Sequence, residues 1–124
     1  MENSGANAGR VMEFIYNHRA MIDKNSKIFD CSGFIICALQ YAGILPDEYD
    51  TTANGLMNSA FFQKVDFKDR REGDLIFKVD DGKAYHVGLV TGQDLTTHAR
   101  GRAYGVVENH IDSVWSQCRR PDYT

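Results

Sequence analysis

The run Phe34-Ile35-Ile36-Cys37-Ala38-Leu39 constrains the fold more than any other stretch. It follows Asp30-Cys31-Ser32-Gly33 and is closed by Gly43 and Pro46, a helix-stop signal, so the spacing predicts a helix from about Cys31 to Ala42. Phe34, Ile35, Cys37, Ala38, Leu39 and Tyr41 make both of its faces apolar. A helix apolar all round has to be covered on both sides, and in a chain of 124 residues the economical cover is a sheet. Asp30 is placed to cap the helix, which puts Cys31 in its first turn. There the free N–H groups and the positive end of the helix dipole favour a thiolate, and the same N–H groups suit an oxyanion. From this stretch alone, an ordinary buried cysteine is the better reading.

The cover is found downstream. From Gly73 the apolar period becomes two. Asp74–Val79, Tyr85–Thr91, Leu95–Ala99, Gly105–Glu108 and Trp115–Arg119 read as five short strands. Asp80-Asp81-Gly82, Gly92-Gln93-Asp94, Arg100-Gly101-Arg102 and Asn109–Ser113 read as the turns between them, which favours an antiparallel meander. Upstream, Ala8–Met21 has helical spacing through Val11, Phe14 and Ile15, with His18 near its end as a structural residue. Asp23–Phe29 is a polar connector. Thr51 or Thr52 caps a short helix reaching about Phe61, with Met57, Ala60 and Phe61 inward. Phe62–Phe67 is a short strand or an extended connector. The expectation is one α+β domain over residues 1–124, helices first and a five-stranded antiparallel sheet after.

Charge and cysteine usage remove several functions. The net charge is −3, with no long Lys/Arg run, so nucleic acid is not an expected partner. Three cysteines without a Cys-x-x-Cys pair leave at least one thiol free. Cys37 reads as core filling, and metal-ligand spacing is not present. No metal or organic cofactor is called for. Met1–Arg10 has neither the basic nor the apolar segment of a secretory signal, and no stretch is long enough to span a membrane.

A thiol nucleophile needs a base. His86 opens the strand His86-Val87-Gly88-Leu89-Val90, and His98 lies on the next strand, brought alongside by the turn at Gly92-Gln93. Imidazole titrates near neutrality, so His86 suits proton transfer from Cys31, and His98 suits fixing the tautomer of His86. His110 falls in a polar turn and reads as surface.

Asp30-Cys31-Ser32-Gly33-Phe34, Glu72-Gly73-Asp74-Leu75-Ile76-Phe77, Tyr85-His86-Val87-Gly88-Leu89-Val90-Thr91-Gly92, Thr97-His98-Ala99 and Gly105-Val106-Val107, in this order, resemble the motifs of the NlpC-type (NlpC/p-sixty) cysteine peptidases, over about Ala8 to Arg120. The resemblance implies a papain-like fold and cleavage of peptide bonds in peptidoglycan stem peptides, of the γ-D-glutamyl to diamino-acid kind. It implies Cys31 as nucleophile, His86 as acid–base and His98 as the group that orients His86. It also implies Asp30 and Ser32 as substrate contacts. Relatives carry a Tyr and a Gly-Gly pair shortly before the Asp-Cys motif. Asp23–Phe29 has neither, and Tyr16 is the nearest tyrosine upstream to stand in at the substrate rim. Asp74 reads equally well as a plain turn residue. The Thr97–Val107 segment resembles phage-tail or prophage members, so a phage assembly is a further expected context, and action on the bacterial wall by a non-classical route another. Two other readings stay open: a non-catalytic wall-binding or phage-tail module on the same fold, and a thiol amidase or acyltransferase.

Overall fold

The computed structural model describes residues 9, 10, 13, 31–99 and 106–121. Gly9, Arg10 and Glu13 are helical; the remainder of the expected Ala8–Met21 helix, His18 and the connector after it lie outside the described residues. The turn expected at Arg100-Gly101-Arg102 lies outside them too.

Helix α1 spans Cys31–Tyr41. Phe34, Ile35, Ala38 and Leu39 have no exposed surface, and Ile36 on the other flank is buried as well. The helix stops as its sequence dictates. Gly43 takes φ +77, its N–H donates to the Gln40 carbonyl at 3.0 Å, and the N–H of Ile44 reaches back to Leu39 at 2.9 Å. That is a Schellman motif, which needs a left-handed residue at this point. Tyr41 departs from expectation. It is exposed, because the last turn leaves the core and its hydroxyl donates to Glu13 at 2.9 Å.

Helix α2 spans Ala53–Met57. Thr52 is its cap, the hydroxyl accepting from Gly55 N–H at 3.1 Å. The helix ends four residues before the expected Phe61, because the Asn58 side chain folds back onto the Asn54 carbonyl and Asn58 leaves helical geometry. Met57 is buried, but Ala60 and Phe61 face out; Phe61 packs edge-on against Tyr49 at 5.4 Å.

Among the described residues the sheet has six strands, not five: β1 Phe62–Val65, β2 Leu75–Asp80, β3 Lys83–Gly92, β4 Leu95–Ala99, β5 Val106–His110 and β6 Trp115–Pro121, in spatial order β1-β6-β2-β3-β4-β5 with every pair antiparallel. The extra strand is the stretch whose sequence left strand and connector open. β5 runs through Asn109 to His110, so the expected turn starts later. β2 and β3 are joined by Asp81-Gly82 with φ +51 and +76, the pair of left-handed residues that a two-residue hairpin turn requires.

Alternation along β2 divides two apolar clusters. Leu75 and Phe77 join Val87, Leu89 and the helices on one face; Ile76 joins Val90, Trp115 and Cys118 on the other. Three bulges interrupt this alternation. Tyr85 and Thr91 are the extra residues on β3, and Ser116 the extra one on β6. Because of Tyr85, Ala84 serves the helix face and His86 the other. Because of Ser116, Trp115 pairs with Lys78 and turns to the face of His86.

Candidate active site

Cys31 is the first residue of α1 and is half-buried; Ser32 beside it is buried. Both line a cleft of about 540 Å³. The loop before α2 contributes Asp50, Thr51 and Thr52, and β3 contributes Ala84 and Tyr85. Tyr85 is 55% exposed, which is where a bulge residue points when neither face claims it. Asp30 and Tyr16, the other expected substrate contacts, lie outside the described residues.

The three thiols differ. Burial, then the nearby Asp50 carboxylate, pushes the Cys37 thiol up. Burial, then Asp74, pushes Cys118 up to about 12. Both are held protonated, so neither is a nucleophile near neutral pH. Cys31 alone of the three lines the cleft.

His86 and His98 meet across β3 and β4. His86 Nε2 lies 2.7 Å from His98 Nδ1, and the rings cross at 78° with centroids 4.9 Å apart. Gly88 makes this approach possible. It sits between them on the same face, and a Cβ there would come within 2.6 Å of Thr96 Oγ1, 3.0 Å of Trp115 Cη2 and 3.2 Å of the His98 Cβ. Trp115 packs on both rings, at 5.5 Å from His86 and 5.3 Å from His98. Its own ring carries the Lys78 ammonium at 4.9 Å. His98 Nε2 in turn lies 2.9 Å from Asn109 Oδ1. His98 is buried and His86 half-buried, so the pair is sheltered from competing water.

The sequence placed the two histidines together. It missed Asn109 and Trp115 as their neighbours, and it missed Tyr85 and Asp50 as cleft walls. The available signal for Asn109 was register: Thr96 pairs with Asn109, two residues from His98 on the same face.

Asp74 is neither a plain turn residue nor part of the cleft. It is buried and takes a bidentate contact from Arg120, Nε to Oδ1 and Nη2 to Oδ2, both at 2.8 Å. The Arg71 N–H donates to the same carboxylate at 2.9 Å, and the Cys118 thiol lies 3.5 Å from it. This latch ties the end of β6 to the start of β2. Among the described residues no group of three or more His, Cys, Asp or Glu is arranged to hold a metal ion, and no helix is long and apolar enough to cross a membrane.

The pattern of the NlpC/P60 family matches residues 16–120. Solved structures with the same fold include the P60 domain of antigen MAP1204 from M. avium subspecies paratuberculosis. That structure has a TM-score of 0.63 and 23% identity over 77% of this chain and 67% of that one. The peptidoglycan hydrolase RipB of Mycobacterium tuberculosis has a TM-score of 0.62 and 26% identity over 74% of this chain and 44% of RipB. RipD of the same organism is described as a non-catalytic NlpC/p60 domain protein adapted to peptidoglycan binding. It has a TM-score of 0.60 and 25% identity over 76% of this chain and 67% of that one. The chain thus spans less than half the length of RipB. No curated protein matches the chain.

Proposed function

The chain belongs to the NlpC/P60 family, and from that premise we propose that it is a cysteine peptidase of the bacterial cell wall, cutting an amide of the peptidoglycan stem peptide next to γ-D-glutamate. Residues 1–124 act in this reading as one catalytic domain. The observation that supports it is the ordered pair of His86 and His98, with His86 on the strand β3 whose Ala84 and Tyr85 line the same cleft as Cys31.

The chemistry runs through a thioester. His86 takes the thiol proton and the Cys31 sulfur attacks the scissile carbonyl. The N–H groups at the start of α1 receive the oxyanion. As the tetrahedral intermediate collapses, the carbon–nitrogen bond breaks and His86 protonates the departing amine. A water then attacks the thioester, its proton passing to His86, and the acid product leaves with the thiol restored. His98 holds His86 in place throughout. The Asp50 carboxylate and the Tyr85 ring give the cleft a wall suited to a peptide that carries a free amine, and Tyr85 supplies the aromatic rim that Asp23–Phe29 lacks.

Digestion of defined stem peptides by the purified chain and by Cys31→Ala tests this reading. Cleavage is expected for the first and loss to background for the second; equal cleavage by both would sink the mechanism.

A second reading, a non-catalytic peptidoglycan-binding module, is favoured by the likeness to RipD. In that case iodoacetamide at mildly acidic pH would label Cys31 no faster than Cys37 or Cys118. For a peptidase, Cys31 labels first.

A further inference from the structure

We infer that Asn109 is the positioning residue that sets the tautomer of both histidines, and so decides which nitrogen of His86 carries the lone pair. The inference rests on the peptidase reading for its catalytic consequence, but its geometry stands apart from that reading.

The hydrogen bond between His86 Nε2 and His98 Nδ1, at 2.7 Å, cannot choose its own direction. Either His86 donates from Nε2 or His98 donates from Nδ1, and the distance is the same in both cases. In the first state the lone pair of neutral His86 is on Nδ1, the nitrogen turned away from His98. In the second state Nδ1 of His86 carries the hydrogen, and the ring cannot take a proton from a thiol there. One state is a base toward a thiol at Nδ1 and the other is not, so something outside the pair has to select.

Asn109 is placed to select. Its Oδ1 lies 2.9 Å from His98 Nε2. A carbonyl oxygen only accepts, so His98 Nε2 must carry a hydrogen. Neutral His98 has only one N–H, so its Nδ1 is an acceptor and His86 must donate from Nε2. The lone pair of His86 is thereby fixed on Nδ1. A side chain on β5 sets the basic atom of a ring on β3, through one ring on the strand between them. Gly88 and Trp115 supply the room and the cover; the choice of direction comes from Asn109.

The test is nitrogen NMR of the imidazoles, recorded near pH 9 where neutral rings prevail, with His86→Gln and His98→Gln to assign the signals. The wild-type chain is expected to show both rings as the Nε2–H form. Asn109→Leu is expected to move His86 toward the Nδ1–H form and to lower Cys31-dependent cleavage by roughly 10- to 100-fold, short of the loss on the order of 10⁴-fold seen when a triad is locked in the wrong tautomer. Asn109→Asp keeps an acceptor in place and restores the Nε2–H form. Asn109 is exposed, so both variants are expected to fold. The inference is overturned if wild-type His86 is the Nδ1–H form, a result that needs no variant, or if Asn109→Leu leaves the spectrum unchanged. A chain with the expected spectra but no cleavage of stem peptides would remove the peptidase reading and leave this one standing.

Discussion

Gly88→Ala is expected to destabilise the chain, and the sign of the effect is diagnostic. Gly88 is not among the residues with positive φ, so the backbone accepts alanine. At such a position the lost freedom of the unfolded chain alone would stabilise by about 0.4–1 kcal/mol. Space decides otherwise. The added Cβ would stand 2.6 Å from Thr96 Oγ1, a hydroxyl already held by the Leu89 carbonyl at 2.9 Å, and 3.0 Å from Trp115 Cη2. Neither neighbour is the loose end of a flexible chain. Overpacking of this kind costs about 1–3 kcal/mol, which outweighs the entropic gain. For a domain this size the difference, up to about 2.6 kcal/mol, lowers Tm by up to roughly 10 °C. Calorimetry measures it. Gly92→Ala is the control, since its Cβ would meet only the Leu95 side chain at 3.1 Å, and a smaller change is expected there. Trp115→Phe removes Cη2, so in the double variant with Gly88→Ala the two losses should not add. A Gly88→Ala chain as stable as wild type, with additive behaviour alongside Trp115→Phe, would refute the account of how the histidines are packed.

Two further outcomes concern the latch between β6 and β2. Arg120→Met leaves the buried Asp74 carboxylate without its bidentate partner; Arg120 keeps about a quarter of its side chain in water, so the loss is expected at about 2–3 kcal/mol, below that of a fully buried pair, as read from the urea midpoint. Cys118 stays protonated up to about 12 in the folded chain and ionises near 9 when unfolded, so the folded state holds the extra proton and stability falls as pH rises through that window. Tm measured from pH 8.5 upward should fall less steeply for Cys118→Ala than for wild type.

The sequence was most readable where neighbours in the chain are neighbours in space. Asp81-Gly82 announced its hairpin, Leu95–Ala99 was bounded correctly, and Gly43 ended its helix, because each signal acts over a few residues. β1 was ambiguous for the opposite reason. Four residues with two exposed in the middle give too short a period, and their partners on β6 are more than fifty positions away. A comparable separation hid the role of Asp74, whose arginine lies 46 residues on. Bulges set the other limit. An alternation count puts Trp115 on the face of Gln117, and only the extra residue Ser116 turns the indole onto His86 and His98. The histidine pair was legible because turn and strand lengths fix it; its amide partner was not, because the strand carrying Asn109 ran past its expected end.

β6 enters the sheet between β1 and β2, two strands already made when its own residues are last in line. During synthesis, β2 through β5 can pair as they emerge, while β1 has no neighbour until residues 115–121 leave the ribosome. The indole that roofs the imidazoles arrives on that same closing segment, so a nascent chain can pair β2 through β5 well before His86 and His98 are covered.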